Sequence, residues 1–402
     1  MVECRMPLPP APKAETFPFF TPAVPGLEPF LQRELWTLGL HPVAEEGGFF
    51  WKGTWRDFYR AQLLLRTAGR VVVRIREFEA LIFPDLEREA AHLPWYRFVR
   101  PQQAFKLKVS CAKCGLYHED AIAERLAGWI AAATGARWVP EAPDGEAQLF
   151  LVRGWKDRFT LSADGTGEHL HRRGYRQQIS KAPLRETVAA SLLYASGWVP
   201  SVDEGVGRGA ATRYKQPTQP LTDPMCGSGT IVIEAALAAR KVPPGMANPE
   251  LKPRRYSLEQ WPSFDAEEWN KTVNSLREKV LPRAEMTLRG SDRDDGAIAS
   301  AQANAYRAGV GDDVLFERRA LSDAVLPGPG GFVVTNPPFG VRIGETKDLR
   351  DLYAVLGRRL AEPGLRSAWL CADPRFSVAA GGEWKTVATF PNGGLDLTIR
   401  LR

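Results

Sequence analysis

Leu27, Phe30, Leu31, Leu35 and Leu38 recur at helical spacing and Gly39 follows them, a pattern that predicts an amphipathic helix with a glycine stop. The aromatic run 48–53 predicts a strand, 54–67 a second helix and 70–78 another strand, so a small α+β unit closes near Glu79. The pattern then restarts. A helix is predicted around 86–93, a strand over 104–110, a helix over 118–134 and strands near 149–152 and 158–162, giving a second unit that ends at Thr166. From Ala182 the elements lengthen: a helix over 184–196, a strand at 221–222, a glycine turn, a helix, and further strand–helix pairs to Arg402. Apolar strands alternating with helices predict an open, mostly parallel sheet in an α/β domain. The glycine-rich stretch 205–209 reads as an exposed loop.

Composition fits this division without naming a function. The 402 residues suit two or three domains, and 44% hydrophobic with 25% charged residues is ordinary for a folded chain. The 53 lysines and arginines exceed the acids by six, an excess that gains meaning only where it clusters. It does so over 97–113, where Arg97, Arg100, Lys106, Lys108 and Lys113 meet no acid, and again at Arg172, Arg173 and Arg176. Five cysteines without regular spacing point to a reducing compartment, so a cytoplasmic protein is expected. The longest uncharged apolar stretch, 187–200, is shorter than a membrane span needs, and 1–15 reads as a flexible lead-in. Cys111, Cys114 and His118 lack a fourth partner for zinc, so no metal is expected.

Three motifs carry the chemistry. The first is Asp223-Pro-Met-Cys-Gly-Ser-Gly-Thr: a strand ends at Asp223, Gly227 and Gly229 make a tight turn, and a helix opens at Thr230, presenting backbone N–H groups to a ligand. It lacks the Gly-Lys-Ser/Thr of a polyphosphate loop. Met225 lines the cradle, and Cys226, with no adjacent histidine, packs beneath it. The second motif ends a strand at Asp292, placed to accept from both hydroxyls of a ribose, with Arg293 beside it and Asp294 as a helix cap. The third is Asn336-Pro337-Pro338-Phe339 after a buried strand; two prolines cannot continue a sheet and fix an amide, a carbonyl and an aromatic ring as a rigid wall.

In this order and spacing the motifs resemble the class I S-adenosylmethionine-dependent methyltransferases that act on exocyclic amino groups of nucleobases. With His171-Arg-Arg-Gly-Tyr-Arg, 182–190, Ser196-Gly-Trp and Asn392-Gly-Gly-Leu-Asp, the chain is similar from Phe19 onward to the THUMP-domain RNA guanine-N2 methyltransferases, the 23S ribosomal RNA branch above all. The resemblance implies a ferredoxin-like domain at 16–79, a THUMP RNA-binding domain at 80–166, a basic linker at 167–181 and a Rossmann-like methyltransferase domain at 182–402. It also implies S-adenosylmethionine as cofactor, S-adenosylhomocysteine as product, and 23S rRNA or an assembly intermediate as the partner of a monomer. Asn336, Pro337, Pro338 and Phe339 become the catalytic wall. The cofactor falls to Asp223, Met225, Cys226, Gly227, Gly229, Thr230, Asp292, Arg293, Ala320 and Leu321, and RNA to Lys106, Lys108, Arg172, Arg173, Arg176 and Arg342. Two positions depart from the family: Ala320 stands where an aspartate reads the adenine, with Asp323 as a substitute, and Val341 stands where a glutamate precedes arginine. A tRNA guanine-N2 methyltransferase, an adenine-N6 methyltransferase and a non-catalytic RNA-binding assembly factor are the alternatives. Trp261, Phe264 and Trp269 read as core.

Overall fold

A computed structural model describes residues 15–177, 184–199, 217–339 and 346–402. The first half alternates strands and helices: β1 (Phe17–Pro22), α1 (Glu28–Thr37), β2 (Val43–Glu45), β3 (Gly48–Gly53), α2 (Trp55–Leu64) and β4 (Val72–Glu79). Then come α3 (Phe83–Ala91), β5 (Ala104–Ala112), α4 (Glu119–Thr134), β6 (Arg137–Trp138), β7 (Gln148–Trp155) and β8 (Arg158–Asp164). Local chemistry sets several of these limits. Thr54 and Asp57 form a reciprocal capping box that starts α2, and α4 stops at Gly135, whose φ of +71° suits a left-handed cap.

The two units expected on either side of Glu79 share one eight-stranded sheet, in the order β2-β3-β1-β4-β8-β7-β5-β6. Antiparallel pairing of β4 with β8, from Val72 opposite Asp164 to Glu79 opposite Arg158, joins them. Hydrophobic periodicity marks each strand but carries no information on a partner some 90 residues away.

The second half holds α5 (Glu186–Ala195), β9 (Leu221–Asp223), α6 (Thr230–Ala239), α7 (Ala266–Arg277), β10 (Leu288–Asp292), α8 (Asp295–Arg307), β11 (Val314–Arg318) and β12 (Phe332–Thr335). It ends with α9 (Thr346–Leu360), β13 (Arg366–Cys371), α10 (Pro374–Ala380), β14 (Lys385–Asn392) and β15 (Leu395–Leu401). These strands form a seven-stranded sheet, β11-β10-β9-β12-β13-β15-β14, parallel from β11 to β13 and antiparallel at β15 and β14. One face packs on α5, α6 and α8, the other on α9 and α10. That double cover explains the unbroken apolar run of β12: Phe332 and Val334 enter one core and Val333 the other.

The halves interlock. Trp261 and Trp269, from the segment between α6 and β10, join the core of the first half, where Trp261 stacks on Phe58 at 6.0 Å and donates to Gln148 Oε1 at 2.6 Å. Within the stretch expected as a basic linker, Arg173 and Tyr175 are part of the interior. Arg173 is only 4% exposed, and its guanidinium donates to the Leu170 and Arg66 carbonyls and to Glu234 Oε1. Tyr175 donates to the same Glu234 oxygen at 3.2 Å, and Arg66 Nη1 lies 3.8 Å from the other. Its neighbour Arg172 is exposed, and its guanidinium pairs with Glu168.

Arg173→Ala removes a partner of a buried carboxylate and should destabilise the protein by about 3–5 kcal/mol, whereas Arg172→Ala should change stability by less than about 0.5 kcal/mol. Chemical denaturation of both variants checks the contrast, and equal effects would contradict this placement of Arg173.

Candidate active site

The site forms where β9, β10 and β12 end together at the carboxyl edge of the parallel sheet, the crevice where open α/β sheets bind ligands. After Asp223 the chain turns through Gly227 at φ +52° and Gly229 at φ +83° before α6 begins. A side chain at Gly229 would press on Ala301 at 3.0 Å and Ile233 at 3.2 Å, so that glycine is needed for close packing. At Gly227 an added Cβ meets nothing within 4 Å; this glycine opens space for a ligand. Gly229 caps α6 without a side-chain bond, which leaves first-turn N–H groups directed at the crevice.

Hydrogen bonds tie the turn to β10. Cys226 N–H donates to the Ser291 carbonyl at 2.9 Å and Gly227 N–H to Asp292 Oδ2 at 3.0 Å, while Asp294 N–H donates to Asp292 Oδ1 at 3.1 Å. Each oxygen of Asp292 keeps acceptor capacity for a ribose hydroxyl. Asp294 caps α8 by accepting from Gly296 N–H at 3.0 Å.

The wall at the end of β12 is anchored to the turn. Thr335 Oγ1 donates to Asp223 Oδ1 at 2.6 Å, and Met225 N–H donates to the same oxygen at 3.1 Å. Asp223 is 1% exposed and braces the cradle through Oδ1, which takes both of these bonds. Burial, with Asp292 nearby, pushes its carboxyl up to about 7 despite these bonds. Asn336 follows directly, and its Oδ1 is buried without a partner. An unpaired buried acceptor costs about 1–3 kcal/mol, so the site fits a ligand that brings an N–H. Pro337 is buried, Pro338 exposed, and Phe339 half-buried against the core.

The other expected site residues fall as follows. Met225 packs with Leu321 in the α9 core, and Thr230 is buried. Cys226 is buried, and burial raises its thiol well above the usual range, which suits packing and not nucleophilic attack. Arg293 and Ala320 are exposed at the ends of β10 and β11, with Asp323 exposed in the turn that begins at Leu321.

Three basic residues expected to face RNA have internal work. Arg173 lies in the interior. Arg176 donates to Thr230 Oγ1 at 3.0 Å and the Leu184 carbonyl at 2.7 Å and pairs with Glu186, whose burial pushes its carboxyl up to about 7. Lys106 donates to the Ala142 carbonyl at 2.7 Å and Asp144 at 2.9 Å. Lys108 and Arg172 are exposed, and Arg342 lies outside the described residues. Sequence reasoning missed Glu234 and Glu186. The visible signal for Glu234 was a single charge inside Thr-Ile-Val-Ile-Glu-Ala-Ala-Leu-Ala-Ala. Cys111 and Cys114 are free thiols against Gly154, and among the described residues no cluster of three or more His, Cys, Asp or Glu side chains could hold a metal.

A doubly covered, mostly parallel sheet with a glycine turn, an acidic β10 tip and a rigid Asn-Pro-Pro-Phe wall defines a class I methyltransferase fold. Residues 212–373 match the RMKL-like methyltransferase domain, and residues 18–72 match the RlmL ferredoxin-like domain. Residues 212–373 are thus similar to an RMKL-like methyltransferase domain, with a match to the RlmL ferredoxin-like domain ahead of it. It is 34% identical over 400 residues to "Ribosomal RNA large subunit methyltransferase K/L" of Syntrophotalea carbinolica, covering 95% of this chain and 53% of that protein. The chain thus spans about half the length of the large-subunit relatives it matches. It is 29% identical to "Putative RNA methyltransferase slr0064" of Synechocystis sp., covering 96% of both. The crystal structure of SMU.472 complexed with SAH has a TM-score of 0.79 at 26% identity, over 96% of this chain and 98% of that one. Among the described residues no helix is long and apolar enough to cross a membrane.

Asp223 gives a test of the brace. Its folded pKa of about 7 lies above the ordinary 3.8, so the folded state holds the proton more tightly than the unfolded chain. Its contribution to stability is fully present below about 4 and is lost as pH rises towards about 7. The stability of the wild type relative to Asp223→Asn should therefore fall between pH 5 and pH 8, measured by chemical denaturation. A difference that stays constant with pH would contradict the assignment.

Proposed function

We propose that this chain transfers a methyl group from S-adenosylmethionine to the exocyclic amino group of a guanine in RNA, forming N2-methylguanosine, with 23S rRNA or an assembly intermediate as substrate. The observation that carries the reading is the unpartnered Asn336 Oδ1 at the tip of β12, beside a glycine cradle with open space at Gly227. The family match, the naming of the large-subunit relatives and the SAH bound to SMU.472 support it. Residues 16–79 act as the ferredoxin-like unit and 80–166 as a THUMP unit, while exposed Lys108 and Arg172 contact phosphate. The protein works as a cytoplasmic monomer.

The Gly227 carbonyl and the Thr230 N–H at the start of α6 would hold the amino-acid end of the cofactor and the Asp292 carboxylate its ribose, while the Gly227 and Gly229 N–H groups shape the turn by donating to Asp292 Oδ2 and the Cys226 carbonyl. Bound S-adenosylmethionine supplies an electrophilic methyl group on a sulfonium. Guanine N2 is a weak nucleophile because its lone pair is delocalised into the ring, so the protein must favour its pyramidal form. Asn336 Oδ1 and the Pro337 carbonyl would accept its two N–H groups and stabilise the positive charge that grows there, one of those protons then passing to water to leave neutral N2-methylguanosine, while Phe339 stacks on the base. Bringing the base out of its stack costs a few kcal/mol, offset by contacts to the first half of the chain.

Asn336→Ala should lower the rate of methyl transfer by about 10²–10³-fold while S-adenosylmethionine and RNA binding stay near wild type. Radiolabelled transfer to protein-free 23S rRNA, with nucleoside mass spectrometry, reads both rate and product. N6-methyladenosine in place of N2-methylguanosine would move the reading to an adenine enzyme, and cofactor binding without transfer would refute it.

A further inference from the structure

The Asn336-Pro337-Pro338-Phe339 wall has an inherent weakness. Neither proline has an N–H, so between Asn336 and Phe339 the backbone can hold its shape only through carbonyls. One end is fixed by Thr335 Oγ1 donating to Asp223. At the other, the Tyr353 hydroxyl, from α9, donates to the Pro338 carbonyl at 3.2 Å. Tyr353 is 0% exposed, stacks on Phe376 at 4.5 Å with the rings within 4° of parallel, and lies 5.4 Å from Trp369. These contacts hold the ring whatever its para substituent, so a phenylalanine would pack equally well. Among the described residues the hydroxyl has a single partner, the wall. Burial raises the phenol far above its usual range, which keeps it a donor at any working pH.

We propose that Tyr353 is a positioning residue for methyl transfer. Its hydrogen bond fixes the Pro338–Phe339 peptide plane, and that plane sets both the tilt of the Phe339 ring and the direction of the Pro337 carbonyl. This assignment rests on the methyltransferase reading above. Among the described residues no hydrogen bond or ring contact joins Tyr353 to Gly227 or Asp292, so its loss should act on the reacting geometry more than on cofactor capture.

Tyr353→Phe, assayed with S-adenosylmethionine and protein-free 23S rRNA, should lower kcat by about tenfold, of the order expected for losing one hydrogen bond. KM for S-adenosylmethionine should stay within about twofold, and the melting temperature should fall by no more than a few degrees, leaving the variant folded at the assay temperature. A kcat within about twofold of wild type overturns the assignment. So does a kcat loss in a variant that is partly unfolded at the assay temperature, which would mark a purely structural residue, or a rise in cofactor KM. Wild-type protein that transfers no methyl group to RNA, with Asn336→Ala indistinguishable from it, refutes the functional reading itself and takes this inference with it. Normal transfer by both wild type and Tyr353→Phe refutes only the role of Tyr353.

Discussion

Burying the Glu234 carboxylate inside α6, a helix with no other charge, is tolerable only if cations meet it there, since an unpaired buried charge costs several kcal/mol. The cations come from elsewhere in the chain. Arg66 follows α2 in the first half and Arg173 lies in the connector, with Tyr175 completing the set. Arg66 is used along its whole length: its N–H donates to buried Glu34, its carbonyl accepts from Arg173, and its guanidinium reaches the Leu237 and Val242 carbonyls at the end of α6. Glu34 in turn accepts from Thr67 and from Tyr194 of α5. Two buried carboxylates thus pin the first half onto the two helices that back the catalytic sheet. A network of this kind contributes geometry more than net stability, because desolvation offsets much of the attraction.

That geometry reaches the active site through α6. The helix that carries Glu234 begins at Thr230, the last residue of the glycine turn, and Arg176 holds Thr230 from the connector side. From the turn, Asp223 passes the constraint across the sheet to Thr335 and so to Asn336. Cradle and wall are therefore not independent loops on a scaffold. A displacement of Asp223 moves both, so on the proposed reading cofactor seating and base placement are coupled through one carboxyl. Burial pushes the Asp223 carboxyl up because the two groups that donate to it do not offset the loss of water.

The sequence made the catalytic elements legible because their signals are local. The turn glycines, the strand ending at Asp292 and the double proline each restrict their own backbone, and the structure places them at one sheet edge. Helix and strand positions followed from periodicity for the same reason, with α4 at Glu119–Thr134 against an expected 118–134. What escaped was pairing at a distance. Arg172, Arg173 and Arg176 look alike in a basic run, yet one is exposed and two are consumed by Glu234 and Glu186. Nothing local to 172–176 separates them, because the deciding partners lie up to about 60 residues away. The shared sheet was hidden in the same way: β4 and β8 each read as the last strand of a unit, and only their mutual pairing makes the two units one surface.

The same accounting changes the meaning of the net charge. An excess of six cations over 402 residues suggested a polyanion partner, but arginines buried against carboxylates project no field and attract no phosphate. The positive surface is smaller than the count implies, and of the residues expected to face RNA, Lys108 on β5 and Arg172 beside the connector are the ones exposed among the described residues. On the proposed reading a base reaches Asn336 out of its stack, and contacts made elsewhere must offset the cost. They can do so only if their distance from the wall is fixed, because a hinge between them would lose orientation as entropy. The buried carboxylates that remove arginines from the surface are the groups that fix this distance, so the chain exchanges nonspecific attraction for a set geometry between its outer sheet and its catalytic wall.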